Sequence, residues 1–260
     1  MSKAQFPSFV DKHKEEALFN PSDILKYAEK QGGAPSFAPP EGVIFCYQSK
    51  LLSWALKNHA NTRCEGNFRR LSLFTETKNK IGIFGGFGIG APAATTALEE
   101  LIAFGVRKFV SIGSAGSLQK DLHIGSLAVI DSALRDEGTS YHYLAPDKPA
   151  NASARLTNAL ESQLKDQNIP YRKGKSWTTD APYRETKAEI QHYQQQGILC
   201  VEMEASALFA VADYRNVEIA SLITISDTLA DLTWHPEFHS SKVSAGLESL
   251  FQVAVHCLQT

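Results

Sequence analysis

The sequence predicts an α/β protein, a single domain whose mixed central sheet is flanked by helices. Three observations predict it. Apolar runs of strand length alternate with segments of helical period along the chain. Glycine clusters follow two of the expected strands, at 85–92 and 113–117. Residues 198–212 begin as a short apolar run and continue as an Ala-rich segment, the pattern of a buried strand entering a helix buried nearly all round. The chain has no internal repeat, low-complexity segment or convincing linker. Residues 42–260 therefore read as one domain, preceded by an N-terminal arm over 1–41.

The elements follow in order. In the arm, Asn20-Pro21-Ser22-Asp23 caps a short helix over 24–30, and Gly32-Gly33-Ala34-Pro35 breaks the chain. The arm is expected to lie over the outside of the domain or over a neighbouring subunit. Residues 42–47 form a first strand, and Ser49 is the expected cap of the helix after it. Strands at 71–75 and 80–84 are joined by a turn at Lys78-Asn79. The glycine turn Gly85-Gly86-Phe87-Gly88-Ile89-Gly90 leads into a helix through Ala97, Leu98, Leu101 and Ile102. Strands are expected at 108–112, 127–130, 171–178 and 219–225, with an amphipathic helix over 152–167. Residues 233–236 read as a loop, and a last helix carries Val243, Leu247, Leu250, Phe251, Ala254 and Leu258 on one face.

Composition excludes several classes. The 260 residues, 43% hydrophobic, suffice for one sizeable core. A net charge of −2 leaves no basic footprint for nucleic acid. No apolar run approaches the roughly 18 residues of a membrane span, and residues 1–14 lack the apolar core of a signal peptide. Cys46, Cys64, Cys200 and Cys257 show no metal-ligand spacing. Cys46 and Cys200 lie in apolar runs and read as reduced, buried thiols. The expectations are a cytoplasmic protein with no metal.

The chemistry concentrates at Val201-Glu202-Met203-Glu204, where a buried strand ends in two carboxylates. An unpaired buried carboxylate is costly, and open α/β sheets place ligands at strand ends. The alternative is that both acids favour the positive end of the following helix. A ribose diol offers two donors that one ionised carboxylate can accept, and a thioether can cover a sugar's apolar face. The turn at 85–92 has the strand-glycine-helix geometry that cradles an anion or sugar, or is simply a turn needing positive φ.

Val-Glu-Met-Glu-Ala, with the Gly86 and Gly113 turns in the same order, resembles the nucleoside phosphorylase/uridine phosphorylase family, from about Gly42 to the C-terminus. The resemblance implies that family's fold, a mixed and partly barrel-like sheet flanked by helices. It implies cleavage of a purine nucleoside or uridine by phosphate, giving free base and ribose 1-phosphate. Ribose binding falls on Glu202, Met203 and Glu204, with Glu204 on the hydroxyls. Asp227 falls where the purine-type members protonate the departing base; the alternative is a capping Asp. Phosphate binding falls on Ser114 and Gly88, helped by Arg69 and Arg70, the last two from a neighbouring subunit. Base binding falls on Ala115, Gly116 and Val201, with Tyr183 to stack and Arg184 to donate; the alternative for these two is a polar surface turn. The run 137–146 is closer to the uridine-type members. Phosphate is the co-substrate, no other cofactor is implied, and assembly is a homodimer or a hexamer of dimers.

Two departures bear on the nucleophile. Many phosphorylases of the family carry an Arg where this chain has Ser111, and an early Gly-Asp-Pro turn where it has residues around Gln48, Ser49 and Lys50. Phosphate needs cations or converging amides. The rival readings are therefore a nucleosidase, which uses water, and a catalytically weak nucleoside-binding protein.

Overall fold

A computed structural model describes residues 6–9, 11–33 and 35–259. The first five residues of the arm, Val10, the Ala34 of the Gly-Gly-Ala-Pro break and Thr260 lie outside the described residues.

Eleven strands are described: β1 (Gly42–Cys46), β2 (Asn61–Arg63), β3 (Leu71–Phe74), β4 (Ile81–Gly85), β5 (Lys108–Ser117), β6 (Leu127–Asp136), β7 (Ala150–Asn151), β8 (Arg172–Thr179), β9 (Cys200–Glu202), β10 (Glu218–Thr228) and β11 (His235–Pro236). Between and around them run α1 (Pro21–Lys30), α2 (Ser49–Asn58), α3 (Ala91–Phe104), α4 (Ala154–Asp166), α5 (Lys187–Gln195), α6 (Ala205–Arg215) and α7 (Ser241–Gln259). The strand order is β11-β10-β6-β8-β9-β5-β1-β4-β3-β2, and β10 also pairs with β5. That extra pairing closes β5, β10, β6, β8 and β9 into a ring, so the sheet is mixed and partly a barrel, as expected. Closure removes strand edges that would otherwise stay unpaired.

The long strand β5 positions the site. One edge pairs with β10 along its length. The other edge pairs with β1 from Lys108 to Ile112 and with β9 only at Gly116 and Ser117. Gly113, Ser114 and Ala115 therefore face an opening where β1 has ended and β9 has not begun. Such a break in strand order is where α/β sheets accept ligands.

The sheet separates two cores. On one face, Val43, Phe45, Phe109 and Ile223 pack against Leu98, Leu101, Leu208 and Phe209 of α3 and α6. On the other, Ile44, Val110, Ile112 and Leu222 pack against Leu51, Leu160, Leu250 and Phe251 of α2, α4 and α7. A smaller cluster of Trp177, Ile190, Val201 and Leu229 lies beneath α5. Residues 205–212 of α6 are all buried, as the apolar pattern indicated. The arm lies over its own chain: α1 packs on α3, and Phe6 meets the rings of Tyr141 and His142 edge-on.

Several elements differ from expectation. Residues 113–117, expected as a turn, continue β5 as strand. Their glycines serve close approach instead: a Cβ on Gly113 would stand 3.4 Å from the Tyr47 ring. Gln48, not Ser49, is the N-cap residue of α2. β10 runs on to Thr228 through an irregularity between Ile225 and Asp227, so Asp227 is in the strand rather than after it. Residues 235–236, within the expected loop, pair antiparallel with β10. The helix α5 was not legible from apolar period, since only Ile190 on it is buried. Its capping box, Thr186 with Glu189, was the available signal.

Candidate active site

The carboxylates at the end of β9 have different surroundings. Glu202 points inward. Its Oε1 accepts from the hydroxyls of Ser176 and Thr178, and its Oε2 from the amides of Glu204 and Ala205 at 2.7 Å each. Four donors fill its lone pairs, so Glu202, expected beside the sugar, is engaged in fixing the strand-to-helix turn. Burial pushes Glu202 upward and these donors oppose it. The two backbone amides can only donate, so they favour the ionised form of Glu202 against the effect of burial.

Glu204 points the other way, to the glycine turn. Its Oε1 accepts the Gly90 amide at 2.6 Å. Burial, and then the charge of Glu202, push Glu204 up to about 8. Gly90 has φ +91°, a conformation suited to glycine, and that conformation aims its amide. A Cβ there would lie 3.9 Å from the Met203 methyl, so Met203 covers the same turn. Gly88 also has positive φ and lies exposed in the turn.

At the opening in β5, Gln48 Nε2 donates to Ser114 Oγ at 3.0 Å. Gln48 Oε1 is buried without a partner among the described residues, an acceptor that a bound O–H would satisfy. Tyr47, Gln48, Lys50, Ser114, Phe238, His239 and Ser244 are among the residues around a cavity of about 350 Å³. Lys50 and His239 supply its basic side chains. Ser111 is buried and hydrogen-bonded to the Tyr47 hydroxyl at 3.0 Å. Burial and the nearby Glu204 push the Tyr47 phenol well above its ordinary value, so it is neutral. Where many phosphorylases of the resembling family carry an Arg, this chain has a neutral pair.

Asp227 sits at the far end of the opening. Ser226 Oγ donates to its Oδ1 at 2.8 Å, and Trp234 Nε1 to its Oδ2 at 3.0 Å. Burial raises its pKa, and these two donors oppose the rise. A Cβ on Gly116 would meet Asp227 Oδ2 at 3.0 Å, Leu229 Cδ1 at 2.7 Å and Val201 Cγ1 at 3.2 Å. Gly116, Val201 and Asp227 therefore converge, with Ala115 buried beside them.

Other expected residues lie elsewhere. Tyr183 is 98% exposed on the single 3-10 turn Pro182–Arg184, and Arg184 is exposed with it, so in this conformation both occupy a surface turn. Arg69 and Arg70 line a separate hollow with Phe68 and Glu100. The sheet order explains this: they precede β3, which β4 and β1 separate from β5. The sequence did not reveal Trp234, Phe238 or His239 as site residues, because the β11 turn brings them in. No helix among the described residues is long and apolar enough to cross a membrane.

Known proteins resemble this chain in sequence and fold. A guanosine phosphorylase of Halorubrum lacusprofundi is 31% identical over 142 residues, spanning 55% of this chain and 59% of that protein. A purine nucleoside phosphorylase DeoD-type 1 of Shewanella oneidensis is 29% identical over 192 residues, 73% of this chain and 80% of that one. The crystal structure of a Vibrio fischeri uridine phosphorylase superposes with a TM-score of 0.72 at 27% identity, covering 86% of this chain and 92% of that one. A Toxoplasma gondii purine nucleoside phosphorylase has the same fold, with a TM-score of 0.72 at 19% identity over 85% and 91% of the two chains. The family model described as the phosphorylase superfamily matches residues 54–259, from within α2 to the end of α7, and the chain belongs to that superfamily.

Proposed function

We propose that this chain is a nucleoside phosphorylase, a pentosyltransferase that cleaves the N-glycosidic bond of a purine nucleoside or uridine with phosphate. The products are the free base and ribose 1-phosphate. The observation that carries the reading is the Glu204–Gly90 contact, which holds a half-buried carboxylate and Met203 over one glycine turn. Glu204 takes the ribose hydroxyls, with Met203 against the sugar. Glu202, saturated by four donors, positions both.

The C1′–N bond breaks with its electron pair passing to the base. Asp227 supplies the proton that a purine ring nitrogen needs to leave. A phosphate oxygen bonds to C1′ from the Ser114 side, where the O–H of hydrogen phosphate can donate to Gln48 Oε1 and Lys50 can meet its charge. Charge building on the sugar is flanked by Glu204 and the phosphate. The amides of the Gly88 turn, Ala115, Gly116 and Val201 complete the phosphate and base contacts. Arg69 and Arg70 reach phosphate only from a second subunit of a homodimer or dimer-built hexamer. Tyr183 and Arg184 reach the base only if the 182–184 turn folds inward. The protein is assigned to the cytoplasm, with residues 1–41 as an arm on the 42–260 domain.

The neutral Tyr47–Ser111 pair favours a second reading, hydrolysis at the same site with water satisfying Gln48. Incubating adenosine, guanosine, inosine and uridine with and without phosphate decides between them. Ribose 1-phosphate formed only with phosphate is expected. Free ribose at an unchanged rate in both buffers overturns phosphorolysis.

A further inference from the structure

The loop after β10 does more than cross the surface. Trp234 is 57% exposed, yet its indole N–H turns inward to Asp227 Oδ2 at 3.0 Å. Two backbone pairings fix the loop that carries it, Asp227 with Pro236 and Thr228 with His235. Phe238 packs on the indole with ring centroids 6.1 Å apart. An indole can donate but not accept, so this contact has one direction only. Ser226 holds the other oxygen, Oδ1.

We propose that Trp234 is the positioning residue of the leaving-group acid, fixing Asp227 from the loop side so that its remaining lone pairs face the base. The proposal rests on Asp227 being that acid. A fixed donor on Oδ2 steers the transferable proton to the free side of the carboxyl group. It also stabilises the carboxylate left after transfer, so the acid gives up its proton more readily. Among the described residues, the side-chain donors to Asp227 are Ser226 and Trp234, both neutral. The titratable groups that face it are Glu185, beyond the 182–184 turn, and the Cys200 thiol of β9. Asp231 and His235, paired with each other at 3.0 Å, stand on its own loop. Glu185 is pushed up to about 7 by burial and then by Asp227 and Glu189, so it must be silenced in a pH test.

The test is the pH dependence of kcat with adenosine, guanosine and inosine at saturation, where bound ribose already holds Glu204 ionised, in the Glu185→Gln background. Activity that needs protonated Asp227 falls as pH rises through its pKa. Trp234→Phe keeps a ring against Phe238 and removes the N–H. The limb is expected to move up by about half to one pH unit, with kcat on the acid side falling roughly threefold to tenfold. A limb that stays in place overturns the proposal. Asp227→Asn is the separate check on the underlying reading, which fails if the limb survives that change. Indole N–H resonances of 15N-Trp protein give a readout independent of turnover and of how the Trp234→Phe variant folds. One of them should titrate with pH in the wild type and not in Asp227→Asn. If none titrates differently between the two, Trp234 does not hold Asp227.

Discussion

The Gly90 amide and the Glu204 carboxylate meet at 2.6 Å across 114 residues of sequence, tying the turn after β4 to the start of α6. The contact leaves Glu204 with unfilled acceptor capacity, whereas Glu202, two residues earlier, has none. Glu204→Gln keeps the shape and cannot ionise against the ribose hydroxyls. It is expected to lower kcat/KM tenfold or more, since a charged hydrogen bond contributes roughly 1.5–3 kcal/mol. Steady-state kinetics on a variant with an unchanged circular dichroism spectrum checks this. Wild-type rates would remove Glu204 from ribose binding.

The same carboxylate makes the unliganded protein sensitive to pH. Unfolded, Glu204 titrates at the ordinary value of 4.5; folded, burial and Glu202 hold it at about 8. Between those values the folded state binds the extra proton, so the stability Glu204 contributes is complete below about 4.5 and is lost as pH rises through 8. Thermal melts from pH 5 to 8 should show the wild type losing Tm relative to Glu204→Gln. A pH-independent difference between the two would contradict the assignment. Nucleoside binding has the opposite trend, because ribose hydroxyls donate to the ionised form.

Asp227 discriminates between bases. A purine needs a proton on its ring nitrogen as it leaves and uracil needs it far less, so Asp227→Asn should slow purine nucleosides much more than uridine. Gly116→Ala tests the same group sterically. The added methyl would stand 3.0 Å from Asp227 Oδ2 and 2.7 Å from Leu229. Displacing either costs about 1–3 kcal/mol of stability and should again fall hardest on purines. Equal losses on both substrate classes would make Asp227 structural.

Much of this architecture was legible in the sequence, and the illegible parts have physical reasons. Strands such as 42–46 and 81–85 are buried on both faces and read as apolar runs. The α6 segment was apolar all round because helices and sheet enclose it. Gly113 and Gly116 misled because a glycine pair signals a turn as readily as a strand approached by side chains. Here Tyr47 closes on one and Leu229 with Asp227 on the other. Glu202 and Glu204 look alike in sequence, and only the positions of Ser176 and Thr178 on β8 decide which is filled. Trp234 was hidden for a similar reason, since its partner depends on the pairing of β11 with β10.

The nucleophile site gives the most discriminating prediction. Replacing Ser111 by the Arg of the resembling family is the obvious way to strengthen phosphate binding. The structure argues against it as a single change. Ser111 is 4% exposed, and the Tyr47 hydroxyl lies 3.0 Å away with its ring against Gly113. An Arg there would be overpacked, at about 1–3 kcal/mol, and could not extend toward Ser114. Ser111→Arg is therefore expected to lower Tm without lowering the KM for phosphate. Tyr47→Ser combined with Ser111→Arg opens the space the guanidinium needs and should lower that KM. Lys50 supplies the contrasting case, because it already lines the Ser114 cavity. As an exposed cation its contact is worth about 1 kcal/mol, so Lys50→Gln should raise the phosphate KM by roughly fivefold and leave the nucleoside KM alone. The KM for phosphate in the three variants, read beside their melting temperatures, checks the argument. If Ser111→Arg alone tightens phosphate while Lys50→Gln changes nothing, the anion does not lie between Lys50 and Ser114.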